Sequence, residues 1–282
     1  MSKRLIVNAD DYGRTPGVSR GILHAHVHGI VTSTTVLINQ PDLDHQMADA
    51  LGYPDLGVGL HLVSTSGQPV LPPDRVPGLV DAEGLFLSQR TQWASAADLP
   101  LDQLRSEWSA QIARFEDLAG RPPDHLDCHH FVHLFPPIFE VYADLAAEHR
   151  LPLRAPFPLD ADLAQAAGTI PHLTGVPIDQ VREMMAANVQ ALRARRLAHP
   201  DHFVGAFFGR PALTLDHLLG LLRGLEAGVT ELMCHPGYDD AALAASTYRA
   251  EREIEIDLLS HPRVRAEIQA LGIELIPFGA LA

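Results

Sequence analysis

Cysteine is scarce: Cys128 and Cys234 are the two in a chain of 282 residues. Two thiols do not staple a scaffold of this size, and they fit a reducing cytoplasm better than a disulfide framework. Basic residues are also few. Lys and Arg number 21 against 35 Asp and Glu, a net charge of −14 at neutral pH. A balance that acidic disfavours nucleic acid and anionic membrane as partners. No run of 18 apolar residues occurs, so no membrane span is read. Met1-Ser2-Lys3-Arg4 passes straight into an apolar run without a signal-peptide pattern, and a cytoplasmic protein is the expectation. Internal repeats, low-complexity tracts and a convincing linker are missing as well. With a length common among α/β barrels, this predicts a single domain over residues 1–282.

What is present is an alternation of apolar runs with segments of helical period, the pattern of βα units and a parallel sheet. A first strand is expected in the apolar run from Leu5, and further strands at Ile30–Asn39, Leu56–Val63, His125–Val132, Leu151–Ala155, Phe203–Phe208, Thr230–Cys234 and Ile273–Pro277. Helices fall between them, the first capped by Thr15, opened by Pro16 and stopped by Gly29. About eight strands at this spacing predict an α/β fold of the (β/α) barrel type, with a doubly wound open sheet as the alternative. Two long irregular segments, about 64–100 and 156–177, follow strands and so belong on the ligand-binding face of a barrel.

The stretch Leu5-Ile6-Val7-Asn8-Ala9-Asp10-Asp11-Tyr12-Gly13 ends an apolar strand in two carboxylates. Buried charges are costly unless paired or holding a cation. Strand neighbours alternate in direction, so both aspartates serve one site only if the strand ends near Asn8 and the chain curls over. His61, in Gly57-Val58-Gly59-Leu60-His61, shares a face with two glycines. His125-Leu126-Asp127-Cys128-His129-His130-Phe131-Val132-His133 holds four His and an Asp in nine residues, a strong local signal for a metal or proton-transfer site. Strand alternation would place Asp127, His129, Phe131 and His133 on one face, and helical spacing would also bring His129 and His133 together, at i and i+4. Glu231–Tyr238 is another strand ending in a titratable residue, His235, before a Pro-Gly turn. Arg154 closes a short strand and could orient a carboxylate, bind substrate or form a structural ion pair. His24, His26 and His28 mimic a metal motif, but fall on the first helix with no nearby carboxylate in sequence. Asp11, His61 and His129 are ligand types drawn from separate strands, and Asp with two His leaves coordination positions open for water and substrate. Asp10 and His235 are then available for proton transfer. Arg154 and His133 are supporting candidates.

These segments, NADDYG, PGVSRGI, GIVTSTT, GLHL, HLDCHHFVH and ELMCHPGY, run in order from about residue 4 to 240. Jointly they resemble the YdjC-type carbohydrate deacetylases, which include the chitooligosaccharide deacetylases. The resemblance implies a distorted TIM-like barrel, one divalent metal ion (magnesium or zinc first among the candidates) and removal of acetyl from an N-acetylated sugar. It matches Asp11, His61 and His129 to the metal ligands, Asp10 to the base and His235 to the acid. Cys128 and Phe131 stand where the family usually has Ser and His. Phe131, Trp93 and Phe86 are candidates for stacking on a sugar ring. A barrel phosphoesterase and a non-catalytic sugar-binding protein are the rival readings, and a homodimer is compatible with the sequence.

Overall fold

The computed structural model describes residues 2–157, 177–244 and 246–282. Among these, β1 (Lys3–Tyr12), β2 (Ser33–Val36), β3 (Gly57–Leu62), β4 (Leu126–Cys128), β5 (His202–Val204), β6 (Gly228–Cys234) and β7 (Glu274–Leu275) form one sheet. The strand order is β4-β3-β2-β1-β6-β5, with β7 beside the start of β1. For β1 to β6 that is chain order taken cyclically, as in a (β/α) barrel, and a doubly wound sheet would break it; β7 stands outside the cycle. The helices between them are α1 (Pro16–Val27), α2 (Leu43–Leu51), α3 (Gln89–Ala94), α4 (Leu101–Ala119), α5 (Pro136–His149), α6 (Ile178–Arg195), α7 (Leu215–Arg223), α8 (Ala250–Leu259) and α9 (Pro262–Ala270). This is the α/β, TIM-like class expected from the sequence.

The chain falls into two compact units. The first comprises Met1–Leu37, Asp42–Gly59 and Pro200–Leu281. Its centre is β1, which pairs in parallel with β2, β6 and β7. Ile6, Val229, Ile276 and Phe278 bury their side chains together there, each contributing about 1.5–3 kcal/mol by the usual measure of apolar burial. Helix α1 starts where the sequence signals it: the Thr15 hydroxyl accepts from the Val18 N–H, and Pro16 occupies the first turn.

The second unit comprises Ile38–Pro41 and Leu60–His199, together with Ala282. Here α4 pins the long segment that follows β3. The buried Glu107 carboxylate accepts from the N–H groups of Val70 and Leu71 at 2.8 and 2.9 Å. Gln111 accepts from the Val63 N–H and donates to the Val63 carbonyl. The Gln92 side chain, on α3, is bonded to Ser64. Buried amides and carboxylates matched this way to backbone groups hold a loop in place, so residues 64–100 form an anchored segment that includes α3.

Three expectations need correction. β1 runs on through Tyr12 instead of ending near Asn8. The turn comes from Asp11, whose φ is +72°, and the pairing with β2 slips between Ala9 and Tyr12. A left-handed residue in a strand breaks strict alternation, and Asp tolerates that conformation better than most residues. β4 stops at Cys128, far short of Val132: His129–Leu134 forms a 3-10 turn in which His130 and Phe131 take φ values of 59° and 55°. Two successive left-handed residues end the extended ladder, so the alternation drawn through His133 does not hold. Leu151–Ala155 is reduced to one bridge between Leu126 and Leu153. Residues 158–176 of the second irregular segment lie outside the described residues.

Candidate active site

In the second unit the parallel register of β3 and β4 sets His61 opposite Asp127. The His61 Nδ1–H donates to Asp127 Oδ1 at 2.6 Å, which fixes the tautomer and leaves Nε2 a lone pair. The other Asp127 oxygen meets the guanidinium of fully buried Arg154 at 3.2 Å. Arg154, Asp127 and His61 are therefore a buried chain in which a paired carboxylate orients an imidazole. Of the roles left open for Arg154, orienting a carboxylate is the one its contact supports. His61 Nε2 faces His129 Nδ1 at 3.1 Å.

Around them, the His130 ring stacks on His129 with centroids 3.7 Å apart, and His130 Nδ1 bonds the Thr65 hydroxyl at 2.9 Å. His133 is fully buried against Tyr142, and neither ring nitrogen has a hydrogen-bond partner among the described residues. Burial, with Arg154 adding to it, pushes its pKa down to about 3, which keeps the ring neutral. Burial raises the Cys128 thiol to about 12, an inert side chain. Trp93 is buried with its ring against Phe135, Phe86 is buried, and Phe131 is half-buried.

In the first unit the β1–β6 register pairs Ala9 with Cys234, so Asp10 and His235 each come one residue after a matched position. His235 Nε2 lies 3.9 Å from Asp10 Oδ2, and the Asn8 amide donates to Asp10 Oδ1 at 2.9 Å. Asp11 takes a buried ion pair from Arg252. Arg252 also donates to the His235 carbonyl at 3.4 Å. Glu255, one turn further along α8, accepts from the His235 N–H and from the Tyr248 hydroxyl. Burial, against the opposing pull of these donors, raises Glu255 to about 8. Helix α8 thus grips Asp11 and both backbone polar groups of His235. Arg252 and Glu255 were not singled out by sequence. The signal was present: Arg252, Glu255, Ile256 and Leu259 are the buried positions of α8, a helical stripe at i, i+3, i+4 and i+7 with charges in two apolar places.

The second unit thus brings together two imidazoles and a carboxylate, His61, His129 and Asp127, and the first unit holds the buried carboxylates Asp10 and Asp11. Asp127 is engaged by Arg154 and the His61 Nδ1–H, as Asp11 is by Arg252. The donor chemistry fits a divalent ion. Two imidazole nitrogens about 2.0–2.1 Å from one cation, at right or tetrahedral angles, sit roughly 2.9–3.4 Å apart. The His61–His129 separation is 3.1 Å. The carboxylate behind His61 is the usual outer partner of a ligating histidine. The His24 and His28 rings lie tilted against each other at 4.6 Å on α1, and His26 bonds the Val31 carbonyl; none of the three joins those residues.

Comparison with known proteins places these features in context. The family model of YdjC-like proteins matches residues 4–270. A chitooligosaccharide deacetylase of Serratia marcescens is 34% identical over 280 residues, covering 99% of both chains. One of Proteus mirabilis is 34% identical over 278 residues, 98% of this chain and 97% of the relative. The crystal structure of a candidate cellobiose-phosphate cleavage protein from Enterococcus faecalis V583 superposes with a TM-score of 0.84 at 33% identity, covering all of both chains.

Proposed function

Because the chain belongs to the YdjC-like protein family, we propose that it removes the acetyl group from an N-acetylated amino sugar or short chitooligosaccharide, the whole chain acting as one catalytic domain. The observation that carries this reading is the pair of buried Asp10 and partly buried His235, 3.9 Å apart at the ends of adjacent parallel strands. A carboxylate and an imidazole so placed can take a proton from water and return one to a poor leaving group. An amine is such a leaving group; an ester alcohol needs the acid less. Asp11, His61 and His129 would hold one divalent ion, magnesium or zinc. When bound there, the ion supplies a Lewis acid for the acetyl carbonyl and its oxyanion.

The chain's own residues carry the rest. Asp10, oriented by the Asn8 amide, accepts the proton from the attacking water. His235 delivers a proton to the amine nitrogen as the C–N bond breaks. Its backbone is held by Arg252 and Glu255, so the ring starts from a fixed mainchain. Asp127 and Arg154 hold the His61 ring in one tautomer.

The test is free acetate. Metal-loaded protein is incubated with mono-, di- and trimeric N-acetylglucosamine, a disaccharide phosphate, a phosphodiester and a simple acetyl ester. Acetate from the N-acetylated sugars is the expected result. Turnover of only the phosphodiester or the ester would overturn the assignment, and a protein that binds these sugars without releasing acetate would be the non-catalytic relative.

A further inference from the structure

Large apolar side chains exposed one at a time need no explanation. Phe208 is different. It is 43% exposed, follows β5 in the loop leading from the carboxyl end of that strand, and sits in an ordered aromatic group. Its ring lies parallel to Tyr248, with centroids 4.5 Å apart and planes 10° apart. It meets His235 edge to face at 5.2 Å. The mount is rigid: the Tyr248 hydroxyl is tied to buried Glu255 and accepts from the Gly209 N–H. Gly209 itself turns the chain at φ +82°, where a side chain would be strained. The neighbouring Phe207 is fully buried and anchors the loop from beneath.

We propose that Phe208 is a sugar-stacking platform. The exposed ring takes the apolar face of the pyranose next to the one whose acetamido group is cut. An ordered aromatic surface beside a few polar groups is the usual make-up of a site for an amphipathic ligand. Tyr248 covers one face of the Phe208 ring, leaving its exposed surface for the ligand, within reach of a substrate engaged by His235. The platform therefore discriminates by length, adding affinity for a dimer or trimer that a monomer, with no second ring to stack, does not gain. The inference rests on the deacetylase reading for the identity of the sugar, and on the aromatic geometry for the site.

The test is calorimetric titration with N-acetylglucosamine and its dimer and trimer. The protein carries Asp10→Asn so that the sugars persist, and is compared with the same protein bearing Phe208→Ala or Phe208→Trp. Phe208→Ala should weaken dimer and trimer binding about five- to tenfold and leave the monomer within twofold, and Phe208→Trp should restore the longer sugars. Equal weakening at every length, unchanged dimer affinity, or no sugar binding with Phe208 in place would each overturn the platform. The two readings fail separately. Acetate release by the chain with native Asp10, with dimer affinity indifferent to Phe208, removes only the platform. Phe208-dependent dimer binding with no acetate released removes only the deacetylase.

Discussion

Asp10→Asn is expected to lower the rate of acetate release by roughly 10²–10⁴-fold, the usual effect of losing a general base, while leaving the protein folded and its metal content unchanged. The amide keeps the size of the carboxylate and can still bond the Asn8 side chain, but it does not accept the proton of the attacking water. His235→Ala should cost a similar factor, with a different dependence on substrate. Its loss should be smallest on acetylated compounds whose leaving group departs without protonation. Steady-state rates on an N-acetyl sugar and on an activated aryl acetate separate the two roles. Turnover by Asp10→Asn within a few-fold of the parent would mean that another group is the base.

The second large effect is expected behind the histidines. Asp127→Asn removes the charge shared by Arg154 and His61 in a fully buried setting. Removing one partner of a buried ion pair costs about 3–5 kcal/mol because the other charge is stranded, so the urea midpoint should fall by that equivalent. The His61 Nδ1–H also loses its ionic acceptor. Outer partners of this kind are worth about 10–100-fold in metal affinity, and direct titration with zinc or cobalt should show a loss of that size. Replacing Asp144, which pairs with Arg195 on the surface, should move the urea midpoint by no more than about 1 kcal/mol and leave metal affinity alone. A stability loss at Asp127 with unchanged metal affinity would make the chain from Arg154 to His61 purely structural.

Much of this was legible in the chain. Helix α4 ends where its apolar period ends, with Gly120 in the left-handed conformation as the C-cap, and the Thr15-Pro16 start of α1 is read directly from capping chemistry. Strand-end residues such as His61 and His235 stand out because a titratable group interrupts an apolar run just before a turn. Two features were not legible for a physical reason. Backbone handedness at Asp11, His130 and Phe131 is set by tertiary contacts that no local propensity encodes, so strand ends and alternation were misplaced there. Partnership across sequence, as of Arg252 with Asp11 or Asp127 with Arg154, requires the register of the sheet. A charge in an apolar helical stripe marks a residue as buried and paired, but does not name the pair. Phe208 carried no signal beyond its type; what singles it out is the stacking with Tyr248 beside His235.

The central claim is that Asp11, His61 and His129 hold one divalent ion, and elemental analysis tests it most directly. The wild-type chain and its Asp11→Asn, His61→Ala and His129→Ala variants are loaded with metal, dialysed exhaustively and assayed for bound ion, with circular dichroism to verify the fold. The account predicts about one ion per wild-type chain and a stoichiometry near zero in each folded variant. Folded variants that retain the wild-type metal content would contradict it.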